Sequence, residues 1–293
     1  MAAAPAGRAQ TVEEFPLRKP VSSASAPQTI EEVVYRQSSY DDRGFNRGIQ
    51  KISVPTLTIY QPAAGMKRKG ALVVCPGGGY TFVAIDREGY AMGRYFSERG
   101  FVVAVLKYRM PDPAVTKDGL PLSQQDALEA MRLVRSRAGE WGFDPKRVGI
   151  LGCSAGGHLA GSVGVLGEAA KGTRPDFVVL LYPVVCMEPP NVHAGSRTRL
   201  LGVNPSAEKV AAWSLERRAK AGMPPYFFIH AKDDKGVPAA NSELFAAALR
   251  EKGVPVELRI IEKGGHGFGL GRGPGSESDG WKDSFLAWLE KLP

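Results

Sequence analysis

From residue 71 onward the chain is a succession of β-type runs, most of them apolar on both faces, at 71–75, 101–108, 148–153, 176–182, 226–231 and 256–262. Between most of them lie segments with helical periodicity, at 88–99, 123–141, 155–166, 239–252 and 279–292. Strands without a wet face, separated by helices, fit a mostly parallel sheet covered on both sides. Asp144-Pro145 after Trp141-Gly142 supplies a helix stop just before one of these strands. Ahead of this region, 30–36 and 49–60 read as strands of an antiparallel N-terminal edge. The second shifts phase at Pro55, and residues 40–44 form the turn region between the two. Residues 1–28, rich in Ala, Pro, Ser and Gln, read as an extended or mobile leader. Residues 29–293 then form a single α/β domain, and the irregular stretch at 187–225 is an insertion over the carboxyl edge of the sheet.

Composition narrows the function classes. The chain has 293 residues, 43% of them hydrophobic, enough for one large core. Its longest uncharged apolar runs fall well short of the roughly 18 residues a membrane span needs, so no membrane role is expected. The net charge of +8 comes from Lys and Arg scattered in short groups such as Lys67-Arg68-Lys69 and Arg217-Arg218. No recognition helix or aromatic RNA-binding strand accompanies them, which argues against a nucleic-acid partner. Cys75, Cys153 and Cys186 show no CxxC spacing and read as buried free thiols.

The chemistry is concentrated at strand ends. Directly after the 148–153 run comes Gly152-Cys153-Ser154-Ala155-Gly156, and helical character follows at once. A G-x-S-x-G in a strand, tight turn, helix context places Ser154 on a strained turn as a nucleophile. The flanking glycines are needed because side chains there would collide with the neighbouring strand and helix.

A serine hydroxyl needs a base to take its proton and an acid to hold that base's tautomer. Of four histidines, His158 lies one turn along the helix after Ser154, and His230 sits inside an apolar strand as a core histidine. His193 lies in the insertion, where it is a candidate substrate contact. His266, in the glycine-rich loop Gly264-Gly265-His266-Gly267 past the last strand, is free to reach the site and is assigned as base. The acid belongs at the end of the preceding strand, where Asp233 and Asp234 stand side by side. Adjacent side chains diverge, so only one can orient His266; its position before Val237-Pro238 favours Asp234. The order Ser154, Asp234, His266 is that of an α/β-hydrolase. After the first parallel strand, Pro76-Gly77-Gly78-Gly79-Tyr80 offers unobstructed amides, so Gly78, Gly79 and Ala155 are assigned to an oxyanion hole. Tyr80 is placed on the acyl side of the site, leaving room for little beyond a methyl group. Arg197 and Trp213 in the insertion are candidate contacts on the alcohol side. This chemistry requires no metal or organic cofactor.

With these residues in place, the chain from about Val54 to its end resembles the α/β-hydrolase esterases related to hormone-sensitive lipase and dienelactone hydrolase. It is most similar to the bacterial acetyl-xylan-esterase-like group. The resemblance is carried by CPGGGY, VLKYRMP, RLVRSRAGEWGFDPKRVGILGCSAGGHLA, LLYPV, HAGSRTRLLG, DDKGVPAANSELF and EKGGHGFGL. Pro76 stands where the HGGG type of loop has histidine, and Cys153 where a bulkier residue is usual. The resemblance implies a serine carboxylesterase that removes acetyl groups from xylan or xylo-oligosaccharides, in a secreted or periplasmic setting. Residues 1–10 show no signal peptide pattern. Feruloyl or other aryl ester hydrolysis is the neighbouring reading. A glycosidase would leave Ser154, His266 and the glycine loop without a task. A non-catalytic carbohydrate-binding protein on the same fold would have no use for the triad.

Overall fold

The structure, a computed structural model, describes residues 12–17, 32–37, 45–117 and 119–292. Eight strands form one sheet: β1 (Val12–Pro16), β2 (Thr56–Tyr60), β3 (Gly70–Cys75), β4 (Phe101–Lys107), β5 (Val148–Cys153), β6 (Phe177–Leu181), β7 (Tyr226–Ala231) and β8 (Val256–Ile261). Their spatial order is β1-β2-β4-β3-β5-β6-β7-β8. From β3 to β8 the pairings are parallel, while β2 runs antiparallel to both β1 and β4. This is the mostly parallel sheet with an antiparallel N-terminal edge read from the sequence. The order reverses at β3, which has β4 on one side and β5 on the other. At such a switch point the loops leaving two neighbouring strands part to opposite faces and open a crevice at the carboxyl edge.

Every residue of β3, β5 and β7 is buried, as apolar runs without polar alternation require. Successive side chains of β7 divide between the two faces. Phe227 packs on Phe285 of α7 (Trp281–Leu289), which also meets Phe96 of α1 (Ala91–Ser97). Tyr226 and Phe228 meet Phe245 of α6 (Ala240–Glu251) on the other face. That face also carries α2 (Leu122–Ser136) and α3 (Ala155–Leu166), which pack on each other. The insertion contributes α4 (Ala194–Leu201) and α5 (Ala207–Trp213). Among the described residues, no helix is long and apolar enough to cross a membrane.

Three expectations are corrected. Part of the leader, β1, is a strand of the main sheet, pairing Val12 to Pro16 with Tyr60 to Thr56, and Leu17 after it is buried with its amide on the Pro55 carbonyl; residues 1–11 and 18–28 lie outside the described residues, as does the turn at 40–44. The segment at 49–60 is not one strand. Its first part ends the strand Phe45–Gln50, which pairs with Glu32–Gln37 in a separate small sheet, and the chain re-enters regular structure only at Thr56. Pro55 cannot donate to a ladder, and Lys51 holds φ +54, so pairing breaks between them. The helical segment at 88–99 begins earlier, as a π-helical turn at Ile85–Tyr90 that continues into α1. Asp86 in this turn accepts from the backbone and guanidinium of Arg47, tying the small sheet to the site's edge.

His158 in α3 is fully buried beneath the nucleophile turn. Tyr80 donates its hydroxyl proton to Nδ1 at 2.9 Å, and Nε2–H donates to the Trp213 carbonyl at 2.8 Å. Burial pushes the imidazole down to about 4, outweighing the opposing hydrogen bond to Trp213. Between pH about 6.5 and about 4 the unfolded chain therefore binds a proton that the folded chain refuses, and stability falls as pH is lowered. The span is worth about 3 kcal/mol in full. Urea denaturation across this window should show His158→Gln losing most of the slope attributable to this group; an identical slope in both proteins would contradict the account.

Candidate active site

Ser154 sits at the β5–α3 junction with φ +54 and ψ −121. For a side-chain-bearing residue this conformation costs roughly 1–3 kcal/mol, and it persists only where the surroundings leave no alternative. Here the surroundings are backbone. A Cβ on Gly152 would lie 2.1 Å from the Gly156 carbonyl oxygen, and one on Gly156 would lie 2.1 Å from that of Cys75. The Ser154 amide donates to Leu181 and its carbonyl accepts from Val184, so the turn is pinned from β6 as well.

The Ser154 hydroxyl donates to His266 Nε2 at 2.8 Å, and His266 Nδ1–H donates to Asp234 Oδ2 at 2.7 Å. Asp234 Oδ1 accepts from the amides of Gly236 and Val237, and Oδ2 also accepts from His230 Nε2 at 3.2 Å. Burial opposes the Asp234 charge, but hydrogen bonds from His230 and His266 outweigh it and hold the carboxyl well below the usual carboxylate range. Asp233 turns the other way and accepts from the amides of Gly264 and Gly265 at 2.9 and 2.7 Å. The bond from Gly265, seconded by that from Gly264, lowers its pKa, and the pair fastens the loop that carries His266.

Facing Ser154 is the loop that leaves β3. The Gly77 amide is taken by the Glu88 carboxylate at 2.8 Å. The amides of Gly78, Gly79 and Ala155 have no hydrogen-bond partner among the described residues. Gly78 and Gly79, with φ +131 and +65, turn the loop so that these N–H groups stay free. Tyr108 donates to the Pro76 carbonyl at 2.8 Å and supports the loop from below. A nucleophile joined to a neutral imidazole, with unpaired amides opposite, suits attack on a carbonyl carbon.

The family model for BD-FAE matches residues 57–249. The chain belongs to the BD-FAE family of α/β-hydrolases. It is 34% identical over 246 residues to endo-1,4-β-xylanase B of Butyrivibrio fibrisolvens, covering 80% of this chain and 38% of that protein. It is 32% identical over 205 residues to the acetylxylan esterase of Xylanibacter ruminicola, covering 69% and 41%. The chain thus spans about two-fifths of the length of these curated relatives. The acetyl ester-xyloside bifunctional hydrolase of Caldicellulosiruptor lactoaceticus superposes with a TM-score of 0.74 at 32% identity, with 95% of each chain covered. Thermogutta terrifontis esterase 2, solved phosphonylated by sarin, gives a TM-score of 0.66 at 26% identity over 89% of this chain and 96% of that one.

In this BD-FAE chain the expected substrate contacts divide. His193 approaches the site: its Cε1 is 3.8 Å from where a Gly79 Cβ would stand. Its Nδ1 accepts from the Ser196 amide at the start of α4, which leaves the proton on Nε2. Burial and the nearby His266 lower its pKa, favouring the neutral ring. Arg197 is half-buried on α4, with a buried Nε that has no partner among the described residues. Tyr80 is a correction. It is 1% exposed and bonded to His158, so it lies in the core under the loop and walls no acyl pocket. Trp213 is another: its carbonyl binds His158, its ring stands 6.2 Å from the His158 ring, and the residue lines a cavity with Leu120, Ser162 and Val165 that contains no triad residue. Sequence reading misses that His230 holds Asp234, and it passes over Glu88 and Tyr182. The i, i+4 spacing from His230 to Asp234 is the available signal for the first.

The members of a catalytic line act as a unit, so Ser154→Ala or His266→Ala should each lower kcat on the order of 10⁶-fold. Asp234→Asn should lower it about 10⁴-fold through the wrong tautomer. Asp233→Asn retains an oxygen for both loop amides and should stay within about tenfold. Steady-state kinetics on p-nitrophenyl acetate test the set, and Asp233→Asn proving the more damaging aspartate change would reverse the assignment.

Proposed function

We propose that this chain is a serine carboxylesterase that removes short acyl groups, acetyl above all, from xylan or xylo-oligosaccharide esters. The hydrogen-bonded line of Ser154, His266 and Asp234, facing the free amides of Gly78, Gly79 and Ala155, is the observation that carries this reading. His266 Nε2 takes the proton as Ser154 Oγ bonds to the carbonyl carbon, and the developing oxyanion accepts from those amides. The carbon–oxygen bond to the sugar then breaks, and the departing oxygen takes the proton from His266. Water attacks the acyl-serine with His266 again as base, releasing the acid and restoring the hydroxyl. Asp234, held ionised, stabilises the imidazolium in both halves.

Support for the sugar comes from what the relatives are named to act on: xylan, acetylxylan, and, for the bifunctional hydrolase, acetyl esters and xylosides. His193, whose ring stands near Gly79 and carries its proton on Nε2, offers a donor suited to a sugar oxygen. Cleavage of a glycosidic bond would need two carboxyl groups flanking it with room to act. The two buried carboxylates at this site, Asp234 and Glu88, instead have both oxygens committed to hydrogen bonds.

Acetate release from acetylated xylo-oligosaccharides, measured beside kcat/KM on acetyl, butyryl and octanoyl p-nitrophenyl esters and on ethyl ferulate, tests the reading. Acetyl should be the best acyl group. An open apolar pocket would instead reward each methylene by up to about 0.8 kcal/mol, roughly fourfold in kcat/KM. Rates that climb with chain length, or a preference for the ferulate, would overturn the acetyl assignment.

A further inference from the structure

We propose that Glu88 is a positioning residue for this reaction, a buried carboxylate that sets the oxyanion loop and the base loop at a fixed spacing. The inference rests on the acyl-transfer reading above. Glu88 lies in the π-helical turn at Ile85–Tyr90 and is 6% exposed. Its Oε2 accepts from the Gly77 amide at 2.8 Å, and its Oε1 accepts from the Tyr182 hydroxyl at 2.8 Å. That hydroxyl in turn accepts from the Gly269 amide at 2.9 Å. One unbroken hydrogen-bond chain therefore joins the loop that leaves β3 to the loop that carries His266.

Its two ends abut the reacting groups. A Cβ on Gly77 would stand 2.6 Å from Glu88 Oε2 and 3.0 Å from the Ser154 Cβ, so the loop passes against the nucleophile with no space to spare. The Tyr182 ring meets His266 edge-on, with centroids 5.1 Å apart, and Phe268 at 4.5 Å. Tyr182 itself holds φ +37, a strained conformation for a side-chain-bearing residue. Sequence offers no reason for that strain; the bonds to Glu88 and Gly269 give one.

The chemistry calls for a carboxylate. Gly77 N–H and Tyr182 O–H are both donors, and the Tyr182 oxygen is already engaged by Gly269, so its proton has to leave toward an acceptor. Glutamine could accept from Gly77 with one atom but would set an N–H donor against the tyrosine proton. The bond spacing between Gly77 and His266 would then relax. Displacement of positioned groups by a fraction of an ångström to an ångström erodes catalysis without weakening ground-state binding.

The test uses Glu88→Gln, Tyr182→Phe and the double variant, with active sites counted by phosphonate titration of Ser154. For each protein, kcat and KM on p-nitrophenyl acetate are set beside the affinity for a trifluoromethyl ketone, which forms the oxyanion when Ser154 adds to it. Glu88→Gln should lower kcat about 10- to 100-fold with KM changed by less than about threefold. Ketone affinity should fall by the same factor as kcat/KM, and the double variant should be no slower than the slower single one. Glu88→Gln kinetics within about twofold of wild type, a loss carried by KM, unchanged ketone affinity, or losses that multiply would each overturn the proposal. A wild-type protein that neither turns over the ester nor reacts at Ser154 would sink the acyl-transfer reading instead. Should Glu88→Gln fail to fold, Tyr182→Phe, which removes a single hydroxyl, is measured by the same readouts, and the same outcomes support or overturn the proposal.

Discussion

The close approach of Gly156 to the carbonyl oxygens of Cys75 and Pro76 is the contact on which the rest of the site depends. It brings the start of α3 against the end of β3, where the sheet order reverses, and no side chain fits between them. Because that approach is made, Ser154 is held in its strained turn, the Ala155 amide faces the Gly78–Gly79 loop, and the nucleophile stands at the crevice. The conformational freedom of glycine matters less here than its missing Cβ. Parallel strands buried on both faces supply the rigid base that keeps such a contact in place.

Each of the four histidines has its proton placed by a neighbour, and the four roles differ. His158 is bonded on both nitrogens in the core, and His193 is left with a free Nε2–H by the Ser196 amide. His230 accepts from Ser242 on one side and donates to Val237 and Asp234 on the other. His266 shares the Asp234 carboxylate with His230, but its other nitrogen meets the hydroxyl of Ser154 on the strained turn, where that of His230 meets the buried Ser242. The adjacent aspartates divide their work likewise. Asp234 is satisfied by two amides and two imidazoles, while Asp233 is satisfied by the amides of the loop it fastens.

Much of this is legible in the sequence because it depends on local pattern. The β3, β5 and β7 runs are apolar on both faces, which marks buried parallel strands, and Gly152 and Gly156 bracket Ser154 at the spacing a strand-to-helix turn needs. Asp234 is separable from Asp233 by its place before Val237-Pro238. What is not legible rests on contacts distant in sequence. Its place after the glycines points Tyr80 toward substrate, yet a partner 78 positions away, His158, draws its hydroxyl inward. Glu88 reads as the first turn of an ordinary helix, and its partners Gly77 and Tyr182 belong to other loops. β1 is hidden in a stretch of small and polar residues, where pairing with β2 and the half-buried Phe15 against Trp141 make an otherwise exposed segment an edge strand.

The central claim is that Ser154, activated by His266, forms a covalent acyl intermediate. Intact-protein and peptide mass spectrometry after acid quench of the protein mixed with p-nitrophenyl acetate tests it directly. The account predicts a single added acetyl group, confined to the peptide containing Ser154, that decays in the wild type and is absent from Ser154→Ala. Turnover of the ester with no adduct at Ser154, or an equal adduct in Ser154→Ala, would contradict it.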